Sequence, residues 1–223
     1  MDEFITENLA LEHTLSAPLF LAHNQAHEVI PHISVFITEL GCTLSKDIFY
    51  SPYENVWIAK NATVSPTAQI CGPCIIDEHA EIRHCAFIRG AVIIGKNAVV
   101  GNSSEIKNSI LFDGVQVPHY NYVGDSIIGY RSHLGAGAIT SNLKSDKSQV
   151  TLGYGGARIS SGKTKLGAII GNYVEVGCGS VLNPGTVISR NSRIYPLSSV
   201  RGYIPKNCIF KSTNEIIPIL SNE

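Results

Sequence analysis

Stepping six residues at a time from Ile58 lands on Ile58, Val64, Ile70, Ile76, Ile82, Ile88, Ile94, Val100 and Ile106, nine aliphatic side chains without a miss. Two places before each stands Val56, Ala62, Ala68, Cys74, Ala80, Ala86, Val92, Ala98 or Ser104, all small or β-branched. A helix repeats every ~3.6 residues and a half-buried strand every two, so a strict six satisfies neither alone. It satisfies a short strand plus a turn, wound as a coil in which three units close one revolution. A second run, Ile170, Val176, Leu182, Ile188, Ile194 and Val200, keeps the same period. Coils stacked in this way hydrogen-bond as parallel strands and bury a continuous aliphatic column.

The expected architecture is all-β, a parallel β-helix over 56–210, preceded by a mainly helical segment at 1–55 and followed by a short tail at 211–223. Within the first segment Ala26, Val29, Ile30, Ile33 and Phe36 fall at helical spacing, with Gly41 as the stop and Pro31 splitting the stretch into two short helices or a kinked one. The chain has 17 Lys plus Arg against 18 Asp plus Glu. Nothing in this balance suggests a polyanion-binding or membrane-attracting surface, so an anionic ligand must be held by a few placed cations. The acidic start and the absence of any run near the ~18 apolar residues of a membrane span point to a soluble, cytoplasmic protein. Six cysteines without dense spacing read as reduced thiols.

Between Asn108 and about Lys165 the count of six breaks. Inside the break VPHYNYVGDSIIG, Val117 to Gly129, concentrates a histidine, two tyrosines and an asparagine, and it reads as a bulge that projects His119 and Tyr122 from the coil.

From Val100 to Asp146 the chain resembles the acetyltransferase domain of the bifunctional glucosamine-1-phosphate N-acetyltransferase/UDP-N-acetylglucosamine pyrophosphorylase family, and the related sugar-1-phosphate nucleotidyltransferases that carry the same prism. The resemblance extends over roughly Ile58 to Val200. Its most specific parts are H-x-N-Y-x-G-D at His119 to Asp125, GAGAIT at Gly135 to Thr140, and the following Asn142. It implies a left-handed prism assembled as a homotrimer, with acetyl-coenzyme A in the groove between neighbouring prisms. It also implies His119 as general base, the Ala136 backbone amide as holder of the acetyl oxygen, Arg89 and Lys107 on the phosphate, and Tyr122 and Asn142 on the sugar. His133 stands where the family has an asparagine near sugar and cofactor, and Ser148 where it has a lysine, with Lys144 and Lys147 as substitutes. Ala136 and Cys178 are the candidate cofactor contacts, and charge and position add Lys163 and Lys165 for the coenzyme A phosphates.

Physical chemistry supports these assignments. An amine attacks a thioester only as the free base, and an imidazole with an unperturbed pKa of ~6.5 suits proton removal near neutrality. Arg89 and Lys107 lie eighteen residues apart, one full turn, and are therefore vertical neighbours able to grip a phosphate from two sides.

The function expected is acetyl-coenzyme A-dependent N-acetylation of an amino-sugar-1-phosphate, with glucosamine-1-phosphate leading and a nucleotide-linked amino sugar as another acceptor. The competing reading is a non-catalytic trimeric module that binds a sugar nucleotide or scaffolds a separate nucleotidyltransferase. No Gly-rich nucleotidyltransferase loop occurs in the first 57 residues, so uridylyl transfer is not expected from this stretch. Cys71-Gly-Pro-Cys74 lacks a second pair for zinc, His79 and His84 lack a third histidine in the repeat, and Gly156 to Thr164 is one residue too long for a P-loop. Metal chemistry is not expected.

Overall fold

The computed structural model describes residues 3–154, 157–211 and 215–219. The rest of the expected tail and Gly156 of the P-loop-like stretch lie outside the described residues. The strands from Val56–Ala59 to Cys208–Phe210, apart from those of one excursion, build a left-handed parallel β-helix of triangular cross-section. Its three faces are parallel sheets whose strands recur every third hexapeptide. In the lower coils the register is 18 residues: Ile58 pairs with Ile76 and Ile76 with Ile94 on the first face, Val64 with Ile82 and Val100 on the second, Ile70 with Ile88 and Ile106 on the third. The period of six is thus the inward column of each face in turn.

The sequence break resolves differently from expectation. The column continues through Leu111, Val117, Val123, Ile128 and Leu134, all fully buried, and VPHYNYVGDSIIG is a regular coil rather than a bulge. What defeats a count of six is a one-residue shortening at the corner from third face to first. Ile94 pairs with Leu111 and Ile106 with Val123, a register of 17. The real excursion is shorter than the break read from the sequence. It leaves after Asn142 and returns at Leu166, with Leu143 and Lys165 bridging its neck.

The first face differs from the other two in being apolar on both sides. Trp57, Ile75, Ile93, Ile110, Ile127, Ile169, Val187 and Tyr203 stack in register as an outward column, and the six aliphatic members are fully buried. This surface is covered by the N-terminal segment and by the excursion. The α-helix Ile33–Gly41 lies on strands Cys74–Ile76 and Val92–Ile94, while strand Thr151–Tyr154 lies on Thr186–Ile188 and Tyr203–Ile204. A 3-10 helix, Ala26–His32, holds Pro31 and runs into that α-helix, which accounts for the kink expected there and for the stop at Gly41. The further helices Glu3–Asn8, Leu11–His13 and Ala17–Leu21 agree with the mainly helical character expected of the segment, although the sequence did not place them individually. Antiparallel strands finish both ends of the stack: Phe49–Tyr50 on Val56–Ala59, and Ile216–Pro218 on Cys208–Phe210. Each caps a single sheet, the first face at one end and the second face at the other.

Phe20 is fully buried and meets Phe112 edge to face at 5.6 Å, joining the N-terminal cover to the prism. Phe20→Ala should lower unfolding free energy by about 3–5 kcal/mol in denaturant titration. A loss below about 1 kcal/mol would show that the cover contributes little to the fold.

Candidate active site

The residues singled out from sequence fall at two adjoining places. One is the outer surface of the third face. On strand Glu105–Lys107, Ile106 points inward and its two neighbours point out, and the register with Phe87–Ile88 puts Arg89 one coil below Lys107. On the coil above, Tyr122 sits over Glu105. Asn142 follows the strand Ile139–Thr140 and is held by its carbonyl, which accepts from Leu166 N at 2.9 Å.

These groups form a connected polar network. Arg89 Nη1 donates to Glu105 Oε1 at 2.6 Å, and the hydrogen bond and charge of Glu105 push the guanidinium pKa further up. Lys107 Nζ lies 3.7 Å from Asp125 Oδ1. Asp125 is 4% exposed and also accepts from Asn108 Nδ2 at 2.7 Å and from Asn142 Nδ2. Asn142 Nδ2 additionally donates to Tyr122 OH at 3.2 Å. Burial, with the Asp125 and Glu105 charges, pushes the Tyr122 phenol above its ordinary value and keeps it a hydrogen-bond donor. Gly124 makes room for this ring, since a side chain there would collide with the Tyr122 hydroxyl.

The second place is the corner between the second and third faces. His119 ends strand Gln116–His119, and its exposed imidazole has no hydrogen-bond partner among the described residues. Backbone bonds run up the corner from His119 O to Gly137 N, from Ala136 O to Gly179 N and from Cys178 O to Leu197 N, so His119, Ala136 and Cys178 occupy successive coils. The Ala136 N–H has no partner among the described residues. At this corner Gly137 and Gly179, with φ of 70° and 68°, carry no side chains between the exposed Tyr120 below and the exposed Leu197 above. The result is a notch beside the free amide, narrowed above Gly179 by the Leu197 side chain. Asn121 holds its floor, accepting from His119 N at 2.9 Å and donating to Gly135 O at 2.8 Å and Ala138 O at 3.1 Å.

Other candidates lie elsewhere. His133 is on the second face, where its Nδ1 pairs with Glu175 at 2.9 Å, and the structure does not bring it to the third-face cluster. Lys163 and Lys165 are exposed on the returning limb of the excursion. Lys144 bends onto Gln149 O at 2.6 Å. His79 and His84 occupy different corners, with Asn61 and Thr67 as their respective partners. Cys74 is fully buried in the inward column, where burial pushes its thiol up and makes it a packing residue. Among the described residues, no helix is long and apolar enough to cross a membrane.

Sequence reading missed Glu105, Asn108 and Asp125. Alternation about Ile106 would have exposed Glu105. The steps from Asn108 to Asp125 and from Asp125 to Asn142 are each 17 residues, the length of the shortened coil.

A family model described as the GMPPB C-terminal domain matches residues 70–194. A bifunctional sugar-1-phosphate nucleotidylyltransferase/acetyltransferase of Sulfurisphaera tokodaii is 36% identical over 163 residues, which is 64% of this chain and 40% of that protein. A bifunctional protein GlmU of Methanococcus maripaludis is 42% identical over 140 residues, 63% of this chain and 34% of the relative. The matched part of the chain therefore spans well under half the length of these two proteins. Among solved structures, GDP-perosamine N-acetyl transferase from Caulobacter crescentus matches with a TM-score of 0.36 and 16% identity, over 73% of this chain and 56% of that one.

The Tyr122 environment has a measurable consequence. A raised pKa means that the folded state keeps the phenolic proton to higher pH than the unfolded chain does, so its contribution to stability falls as pH rises through the ordinary tyrosine value. The difference between ultraviolet titrations of wild type and Tyr122→Phe should show this tyrosinate forming above pH ~10. Titration below that value would contradict the buried network.

Proposed function

Because the chain belongs to the GMPPB C-terminal domain family and carries a prism like the acetyltransferase part of GlmU, we propose that it transfers an acetyl group from acetyl-coenzyme A to the amine of an amino-sugar-1-phosphate, with glucosamine-1-phosphate as leading acceptor. The observation that carries the reading is the charge pattern of the third face. Two cations, Arg89 and Lys107, alternate with two carboxylates, Glu105 and Asp125, across three successive coils. An amino-sugar phosphate carries the same two kinds of charge, so its phosphate fits the cations while its ammonium fits the half-exposed Glu105. A plain sugar phosphate that drew Arg89 away would leave Glu105 without its partner.

Chemistry then belongs to the adjoining corner. His119 takes a proton from the acceptor ammonium, and the free amine attacks the thioester carbon. As the C–N bond forms, the carbonyl oxygen gains negative charge, which the free Ala136 N–H stabilises by about 3 kcal/mol. The C–S bond breaks as the nitrogen loses its second proton, which passes to the departing coenzyme A thiolate, while the proton first taken by His119 returns to solvent. The notch at Gly137 and Gly179 admits the thin pantetheine arm, with Cys178 beside it and Lys163 and Lys165 as candidates for the distal phosphates. The first face is covered by the chain's own N-terminal segment, which leaves the second and third faces to meet in a homotrimer and to complete the cofactor groove. In such a trimer His133 reaches the site of a neighbouring prism. A separate nucleotidyltransferase would then use the acetylated product.

His119→Ala should abolish thiol release from acetyl-coenzyme A in the presence of glucosamine-1-phosphate, by about a hundredfold or more, with the oligomer intact by light scattering. If wild type releases no thiol with any amino-sugar phosphate and does not bind coenzyme A, the module is a binding or scaffolding one.

A further inference from the structure

Asp125 stands outside the groups that would touch substrate, yet it ties Lys107, Asn108 and Asn142 together. It sits at a corner shortened to a 17-residue register, with φ of 50°, and its carboxylate is turned inward and almost wholly buried. Each oxygen has a fixed duty. Oδ1 accepts from Asn108 Nδ2 at 2.7 Å and faces Lys107 Nζ at 3.7 Å, while Oδ2 accepts from Asn142 Nδ2.

The chemistry of these partners removes an ambiguity that an amide ordinarily has. A carboxylate beside a lysine only accepts, so the Asn142 NH₂ must face Asp125 and its carbonyl must face away. The same NH₂ gives its second hydrogen to Tyr122 OH. Asn142 is then left with one group to offer a ligand, Oδ1, which has no partner among the described residues. Tyr122 OH already accepts from Asn142, so what it offers outward is its proton.

We propose that Asp125 is the positioning residue that sets the hydrogen-bond polarity of the acceptor site, holding Asn142 as an acceptor and Tyr122 as a donor. This rests on the acetyltransferase reading of the same surface. The site is thereby selective for a sugar that donates at Asn142, as an amine or hydroxyl does, and accepts at Tyr122, as a phosphate or ring oxygen does. A ligand with these two groups exchanged leaves two polar atoms facing like partners, the arrangement that gives hydrogen-bonding sites their strong discrimination.

Asp125→Asn is close to isosteric, and although the Lys107 ion pair is lost the hydrogen bonds can be remade if Asn142 turns over: the new amide and the Tyr122 hydroxyl donate to Asn142 Oδ1, and Asn142 then presents NH₂ to the ligand. The variant should fold, with polarity inverted. Turnover of glucosamine-1-phosphate should fall about a hundredfold in kcat/KM. Asn142→Asp alone sets two carboxylates together and should be similarly impaired. In the double variant Asp125→Asn/Asn142→Asp the amide at 125 donates to the carboxylate at 142, whose free oxygen again accepts from the ligand. This should restore kcat/KM at least tenfold over either single variant. A double variant no better than the singles would make Asp125 a purely structural residue and overturn the proposal, as would Asp125→Asn with unchanged kinetics.

A second readout does not require turnover. In ¹⁵N-labelled full-length protein, the Asn142 side-chain amide should be shifted and protected from exchange, and should lose both properties in Asp125→Asn. A freely exchanging Asn142 amide in wild type would overturn the proposal even if the enzyme is active. Absence of thiol release with a protected amide would instead count against the acetyltransferase reading alone.

Discussion

The structure depends on the vertical stacking of one coil upon the next. Each inward side chain rests on its counterpart a coil below, as Ile76 does on Ile58 and Ile94 on Ile76, and backbone N–H groups reach the carbonyls of the adjoining coil. Burial of aliphatic surface supplies the gain, at about 25 cal/mol per Å², and the ladder satisfies the peptide groups that burial would otherwise strand. Such a column has almost no lateral freedom. Two outward side chains separated by one coil length therefore stand one above the other wherever they occur, and a site can be assembled from residues that share no local structure. Arg89 below Lys107 and His119 below Ala136 are placed in this way.

The same rule makes coil length a functional variable. Shortening the corner from third face to first by one residue moves Asn108 and Asp125 to a tight turn with positive φ, 46° and 50°. Asparagine and aspartate tolerate that conformation better than most residues, and their short side chains turn back to bond locally. Asp125 is buried as a result, among Asn108 and Lys107 from the coil below and Asn142 from the coil above. The two 17-residue steps join three coils through one carboxylate and convert a repetitive wall into a polar network with direction.

The inward column was legible because a single period carries it, and the grouping of Arg89, Lys107, Tyr122 and Asn142 on one face was legible because their spacings follow the coil. The supposed bulge at Val117 to Gly129 was misread because a count of six registers a lost residue as a lost repeat, whereas the coil closes over it with Leu111, Val117 and Val123 still inward. The outward apolar column of the first face was overlooked for a related reason. Its signal, an extra aliphatic residue at Ile75, Ile93, Ile110, Ile127 and Ile169, recurs once per revolution and is diluted threefold in a six-residue frame. Glu105 and Asp125 were missed because attention to cations as phosphate ligands passes over the acids beside them, and such acids decide which orientation a neighbouring amide can take.

The covered first face also constrains how the molecule can act. With Trp57 through Tyr203 packed under the N-terminal helices and the Thr151–Tyr154 strand, only two faces of the prism remain open. The polar network lies on one of them and the His133–Glu175 pair on the other, while the glycine notch cuts the corner they share. A ligand crossing that notch would touch both faces at once, and a neighbouring prism seated against either face would close the groove over it. The helical cover thus does more than shield apolar surface. By covering one face it leaves the corner that carries the free amide of Ala136 and the imidazole of His119 between the two uncovered ones.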